Sequence, residues 1–570
     1  LFAAAVTAKP ARLKFVVHPS RFHFDKPENY ISMYHQEGSD TLYVGGQAVI
    51  YVLTFSNRGV RDLECDNFIT VIEKVNDTFI VCGTNAGSPR CWMLQVNDTV
   101  LTDIQGVGQI ASPADISPPY PSQKSISLPA GSLYSAMSAV GGHVGSIRRT
   151  FGPQKLLKTE NVWLLPQFAG AAIIPSTLKY KEEIYFFFSE INKTARVDEE
   201  PYRARIGRIC TVDEGGIKNL LADSWTTFMK ARVMCGAGNT QQQYNSMKQA
   251  VVLTAEDKRA GVMYGLFSNA RGRTVICAYS IEDIDQAFST SKLKGYSNSF
   301  IGNRPGMNSS AGNDLKNLGV IRYHPEIEDV IRPVGVAPLD LPTDDQITHT
   351  VADIVLAVND EHYSVLYLGT QGKVLKVLHS SDGVFIISQY SMFRNEGPVL
   401  NMAINPQKGH LYVATAMEVQ RLPLADCGRY GDTCRECILS RDPYCGWDKA
   451  RRRCIAIPPL KLRRTSPRQV SVPSNTSIFL PCPVRSFHAT YRWEKDNCVK
   501  NYPCLFSGDF CVLGPAVDTP LREGVFRCMA TEDGFKVEVI SFKVVSHGRL
   551  LAASLASTMG PSLLLAMAAL

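Results

Sequence analysis

The chain has 570 residues, more than one hydrophobic core ordinarily serves, so several domains are expected. Its 45% hydrophobic and 20% charged residues fit globular domains rather than disordered or fibrous chains. A formal net charge of +7 is mild at this length and argues against a nucleic-acid binder, which concentrates basic residues on one face.

Residues 1–9 begin without Met and read as a signal-peptide remnant, with Val6-x-Ala8 as a candidate cleavage site, or as a flexible start. Residues 10–426 are short apolar runs broken by turn residues. Three of them look alike, starting Leu42-Tyr-Val-Gly45, Leu366-Tyr-Leu-Gly369 and Leu411-Tyr-Val-Ala414, and Phe79-Ile-Val-Cys-Gly-Thr84 is a weaker fourth. Recurrence of a strand–turn–strand unit predicts an all-β repeat fold, a propeller in preference to two unrelated β-sandwiches. Seven blades would take roughly 59 residues each, above the usual four-stranded length and so with room for insertions. Two stretches read as short helices between strands, Ile281 to Phe288 and Ser224 to Met234.

Residues 427–455 hold five cysteines, at 427, 434, 437, 445 and 454. So short a module cannot bury enough apolar surface to fold alone, so cross-links are expected to hold it. Ten of the sixteen cysteines lie between 427 and 528, which reads as a disulfide framework in an oxidising compartment. A linker, 456–469, follows. From Lys449 to Arg468 there are eight basic residues and no acidic one, including Arg451, Arg452, Arg453, Arg463 and Arg464. That stretch is either a solvated linker or a patch drawn to anionic glycans or lipid head groups. In residues 470–546, Cys482…Trp493…Cys528 has the spacing of an immunoglobulin core, where Trp packs on an inter-sheet disulfide. Phe526 stands where the usual corner Tyr would be.

Residues 547–570 end in an apolar stretch of 21 residues, Leu550 to Leu570, without a charge. A stretch this long can span a bilayer, but the form, apolar and terminal behind small residues, reads as a GPI-attachment signal. Ser546 is the candidate attachment residue, with Ala552-Ala553-Ser554 competing. Five Asn-x-Ser/Thr acceptors, Asn76, Asn97, Asn192, Asn308 and Asn475, also favour a secreted path. No catalytic constellation, cofactor motif or metal-ligand spacing is found. Gly106-Val-Gly108 lacks a βαβ context and reads as a loop, and Cys434-Arg-Glu-Cys437 reads as structural rather than redox or zinc-binding.

The run Arg441-Asp-Pro-Tyr-Cys-Gly-Trp447 closely resembles the PSI (plexin–semaphorin–integrin) module. Upstream, in order, lie Asp66-Asn67-Phe68-Ile69, Cys82-Gly-Thr-Asn85…Cys91-Trp92, Pro166-Gln-Phe168, Ile184-Tyr-Phe-Phe-Phe188, Arg205-Ile-Gly-Arg-Ile-Cys210, Trp225-Thr-Thr-Phe228…Cys235, Tyr264-Gly-Leu-Phe267 and Arg304-Pro-Gly306. Together they resemble the semaphorin family, and with the tail its GPI-anchored class 7. The resemblance implies a seven-bladed sema propeller, a PSI module and an immunoglobulin-like domain. It implies disulfides Cys82–Cys91, Cys235–Cys277, Cys427–Cys445, Cys437–Cys454 and Cys482–Cys528, while spacing suggests Cys498–Cys504. Cys65, Cys210 and Cys434 lack the partners the family would give them, and Cys511 is a further orphan. These four re-pair, stay free, or bridge two chains.

The functional implication is a cell-surface ligand, not an enzyme, that binds and clusters plexin receptors on neighbouring cells. It would dimerise through the sema domain and act in axon guidance or immune-cell adhesion and migration. The rival readings are an adhesion receptor of plexin or integrin type and a secreted hydrolase. Class 7 relatives carry Arg-Gly-Asp after the position of Cys210; here Thr211 and Val212 replace its first two residues and only Asp213 remains. The resemblance therefore leaves integrin binding through this loop resting on one carboxylate.

Overall fold

The look-alike runs occupy equivalent places. In the computed structural model, Leu42–Gly45, His362–Gly369, His410–Ala414 and Thr78–Gly83 are each the second strand of a separate sheet. The structure describes residues 13–547 apart from internal segments, among them 160–164, 176–181, 194–200, 237–243, 255–260, 307–314, 458–467, 474–478, 484–489, 496–500 and 514–523.

Seven sheets form blades 1–7, whose innermost strands are Ser32–His35, Ile69–Val75, Ser125–Pro129, Gln167–Ile174, Ser246–Leu253, His349–Leu356 and Asn401–Asn405. The second strands of six blades each bury a tyrosine: Tyr43, Tyr134, Tyr185, Tyr264, Tyr367 and Tyr412; blade 2 places Phe79 there. Each adjacent pair of blades shares one buried apolar cluster. Both faces of a blade are therefore covered, which explains the unbroken apolar run at Ile184 to Phe188. The ring closes when Ser20–His23 pairs antiparallel with Glu418–Pro423 as the outer strand of blade 7. Phe22 and Phe24 then pack on Tyr51 of blade 1.

Among the described residues blade 5 has three strands, and Val334 N–H and Leu339 N–H donate to Ala278 O and Ile276 O along its outer edge. Between them runs an insertion with α1 (Ile281–Thr290), α2 (Leu315–Tyr323) and the strand Glu326–Ile331, which joins the edge of blade 4. The Ser280 hydroxyl caps α1 by accepting from Asp283 N, and Ile281, Ile284 and Phe288 are its buried stripe. The expected helix from Ser224 to Met234 is corrected. Met229, Ala231 and Val233 are buried in alternation, and Met229–Val233 pairs with Tyr202–Cys210 as a strand.

The first of two compact units comprises Leu1–Val355 and His362–Pro459, so the cysteine module belongs with the propeller. The module holds α3 (Cys434–Leu439) and the hairpin Cys445–Asp448/Arg453–Ala456. Thr433 and Glu436 form a capping box at the start of α3. Gly431 precedes it with φ 102°, where an added Cβ would run into the Glu436 carboxylate. The second unit comprises Leu460–Leu570 with Leu356–Glu361 and contains two sheets, one of five strands and one of three. Trp493 is fully buried in their shared core with Cys482 and Cys528, and Phe526 packs there through its ring.

Candidate functional site

Six disulfides are closed among the described residues. Cys82–Cys91 bridges two strands of blade 2, and Cys235–Cys277 ties the blade 4 edge to blade 5. Cys427–Cys445 and Cys437–Cys454 hold the small module, and Cys482–Cys528 joins the two sheets of the second unit. The Cys498–Cys504 pairing is corrected to Cys504–Cys511. The reason is local: Leu505–Ser507 folds back on Phe510–Leu513 with Phe506 opposite Cys511, which brings Cys504 beside Cys511. Cys498 and Cys65 lie outside the described residues. Cys210 is a buried free thiol that desolvation pushes up to about 12, and Cys434 is an exposed one.

The loop after Cys210 is not a display loop. Asp213 is fully buried, and its carboxylate accepts from Gly215 N (2.9 Å) and from the backbone N–H and hydroxyl groups of Thr226 and Thr227 (each 2.8 Å). Arg149, buried against Trp225 and Tyr134, donates to Thr211 O at 2.7 Å and Asp213 O at 2.9 Å. Thr211 is itself buried and Val212 half-buried. The one carboxylate that residues 211–213 retain is thus satisfied inside blade 4. The pattern of residue types at 210–213 did not show this, because the donors come from positions 226 and 227.

Beside it the insertion is fastened by charge. Arg205 Nε lies 2.6 Å from Glu190 Oε1 and its Nη1 2.9 Å from Glu326 Oε1, while Lys230 and Lys294 reach the same carboxylates. Arg208, fully buried, stacks 4.7 Å over Phe288 of α1 and donates to Gly306 O. These contacts fix the insertion as a rigid part of the propeller edge. Tyr323, at the end of α2, is 71% exposed, with the Arg322 guanidinium 5.6 Å from its ring. An exposed aromatic ring beside an Arg combines the residue types that anchor protein interfaces.

Asn76 is exposed at a tight turn with φ 54°, and Asn192 is half-buried with its N–H donating to Pro201 O. Asn97, Asn308 and Asn475 lie outside the described residues. Arg451, Arg452 and Arg453 are exposed at the tip of the Cys445–Ala456 hairpin. Asp448 accepts from Ala450 N and Arg451 N and lies 3.8 Å from the Arg451 guanidinium. Arg463 and Arg464 are not described, so the structure does not place them beside the hairpin. Ser546 is in a sheet ladder, opposite Val472. Its competitor Ser554 and the rest of 548–570 lie outside the described residues. Among the described residues no helix is long and apolar enough to cross a membrane, and no group of three or more His, Cys, Asp or Glu could hold a metal ion.

Comparison with known proteins places these pieces in one scheme. The family model described as "Sema domain" matches residues 247–406, "Plexin repeat" residues 426–483, and "Semaphorin-3/4/7A, immunoglobulin-like domain" residues 464–556. Semaphorin-7A of Mus musculus is 30% identical across 93% of this chain and 86% of its own length. The solved structure of Drosophila Semaphorin 2a superposes with TM-score 0.64 at 22% identity, covering 94% of this chain and all of that one. A chain of "Drosophila Plexin A in complex with Semaphorin 1b" superposes with TM-score 0.61 at 21% identity over 79% of this chain and 94% of its own.

Proposed function

Because the chain belongs to the semaphorin family, we propose that it is a cell-surface ligand that engages and clusters plexin receptors on neighbouring cells. The observation that carries this reading is the propeller, cysteine module and immunoglobulin-like domain in one chain, with 30% identity to Semaphorin-7A over 93% of it. A solved complex pairs a related semaphorin with a plexin, which supports the choice of receptor class. In this reading a rigid propeller face buries against the receptor. A homodimer formed through the sema domain brings two receptors together, and effective concentration then strengthens binding without new contacts. A GPI anchor behind the immunoglobulin-like domain holds the molecule on the outer face of the plasma membrane. The exposed Arg451–Arg453 tip adds attraction to anionic glycans there. Axon guidance and immune-cell adhesion and migration are the processes such a ligand serves. Integrin contact through residues 211–213 is left out, because Asp213 is buried.

Surface plasmon resonance of the purified ectodomain against a panel of plexin ectodomains tests the reading. Saturable binding to at least one plexin is expected, tighter for the dimer than for a monomeric form. No binding to any plexin at micromolar concentration would overturn it.

A further inference from the structure

The three-stranded sheet of the second unit turns an apolar face outward. Leu480–Pro483 pairs with Phe510–Leu513, which pairs with Leu505–Ser507. Leu480, Cys482, Cys511 and Leu513 are buried in the core with Trp493. Strand alternation therefore points Pro481, Pro483, Phe510 and Val512 outward, and Leu505, opposite Val512, points with them. No residue of the three strands is charged. Leu505 is 55% exposed and Phe510 46%, and Phe479, immediately before the first strand, is 63% exposed. Phe506 lies on the core side at the sheet's rim, edge-on to Tyr491, and is still 63% exposed.

The size of this face limits what covers it. An aromatic side chain offers about 150–250 Å², so the three rings and the leucine together leave roughly 400–500 Å² of apolar surface. One partner of a stable complex buries about 800 Å², of which roughly 60% is non-polar. The face thus supplies nearly the whole apolar share of one side of an interface. It offers no cation toward anionic lipid and no charged group toward a charged ligand. Lateral pairing of sheet edges would leave the face in water. One edge also holds Pro481 and Pro483, which lack amide donors, and the other edge strand has only three residues. A flat, uncharged face is complementary to itself when a twofold axis stacks two copies.

We propose that this outer face is a self-association surface, on which the same face of a second copy packs sheet on sheet about 10 Å away. Phe479, Leu505 and Phe510 are its anchors, and Phe506 closes its rim. The contact is separate from the dimer proposed for the sema domain and does not rest on it.

Sedimentation velocity of the full ectodomain, from nanomolar to tens of micromolar, tests the surface. Leu505→Lys/Phe510→Lys puts like charges across the twofold and should weaken the association about tenfold to a hundredfold. Both side chains point outward, so the melting temperature should stay near that of the parent. Phe510→Leu keeps the face apolar and should retain the association. Phe479→Glu reads the same face from outside the strands and should weaken it even where the double variant folds poorly. A Lys variant that falls back to a dimer keeps the sema-domain contact, and one that falls to a monomer lacks it; both outcomes support the face. Association unchanged in the folded Lys variant and in Phe479→Glu would overturn it. So would unchanged association together with binding to phosphatidylcholine vesicles that both variants lose, which would assign the face to lipid.

Discussion

Lys376 Nζ lies 2.6 Å from Asp442 Oδ2, and both side chains are sealed from solvent. Lys376 belongs to the third strand of blade 6 and Asp442 to the cysteine module. The same ammonium donates to Leu424 O and lies 4.5 Å from the Tyr444 ring centroid, while Tyr430 Oη donates to Asp442 Oδ2 at 2.5 Å. Tyr444 Oη in turn donates to Asp353 of blade 6, whose carboxyl burial pushes up. The propeller and the module are therefore one electrostatic and apolar body.

Lys376→Met should cost about 3–5 kcal/mol, because it leaves a buried carboxylate without its cation. Lys376→Met/Asp442→Leu should recover part of that loss, since it removes the unpaired charge but leaves the Tyr430 hydroxyl and Tyr444 N–H without their acceptor. A double-mutant cycle from urea unfolding of the ectodomain measures this. Additive single effects below about 0.5 kcal/mol would show the pair contributes nothing.

What the sequence made legible was local or periodic. The Leu-Tyr runs mark second strands, where each of those blades buries a tyrosine between its neighbours. The Cys482…Trp493…Cys528 spacing reports a core whose members are fixed by strand register. What it hid depends on long-range closure. Arg149 and Asp213 meet across 64 positions and Lys124 and Lys248 across 124, so no spacing rule could pair them. Residues 224–234 carried a helix-like apolar pattern, yet the free edge of Tyr202–Cys210 recruited 229–233 as a strand. Tertiary context overrode local preference there.

Cys445→Ser should block secretion. Its partner Cys427 packs in a small cluster with Tyr430, Cys437 and Cys454 against Leu378 and Ile387, so the module has little core beyond its bridges. Losing such a bridge costs about 2–5 kcal/mol. Pulse-chase of the variant in secreting cells measures it; normal secretion with unchanged plexin binding would mean the bridge is dispensable.

The proposed anchor has its own check. Phosphatidylinositol-specific phospholipase C should release the protein from the cell surface, with the apolar tail missing from the mature chain. Retention after treatment, with Leu550 to Leu570 found by mass spectrometry, would reject GPI attachment.

Glu73, on the innermost strand of blade 2, and His349, on that of blade 6, should oppose each other in pH dependence. Glu73, hydrogen-bonded by Ser127, is pushed by burial from 4.5 up to about 7, so the folded state holds a proton that the unfolded state lacks between those values. That contribution is present at low pH and is lost as pH rises through 7. His349 is pushed from 6.5 down to about 4, so the unfolded state holds the extra proton and stability falls as pH drops from 6.5 toward 4. Between pH 4.5 and 6.5 the two slopes cancel. Glu73→Gln should expose the histidine slope, making the variant lose stability on acidification where the parent does not. Urea midpoints at pH 5 and 6.5 measure it; parallel curves for both proteins would show Glu73 is ionised in the fold.

The loop at Thr211 to Asp213 decides how far the family likeness extends. An integrin reads Arg-Gly-Asp through a carboxylate on its metal and a guanidinium in an acidic pocket. Residues 211–213 lack the guanidinium, and their one carboxylate is fully buried, taken up by five hydrogen bonds. A lost charge-assisted contact alone is worth about 1.5–3 kcal/mol, roughly ten- to a hundredfold in affinity. Freeing Asp213 would break several more. Cells on immobilised ectodomain should therefore show no spreading that an Arg-Gly-Asp peptide competes away, while plexin binding persists. Asp213→Asn separates the structural role from an adhesive one. It places an amide N–H₂ among donors, so it should lower the melting temperature and leave spreading per folded molecule unchanged. Strong spreading that the peptide abolishes, and that Asp213→Asn removes without loss of stability, would show that the loop opens and presents its carboxylate after all.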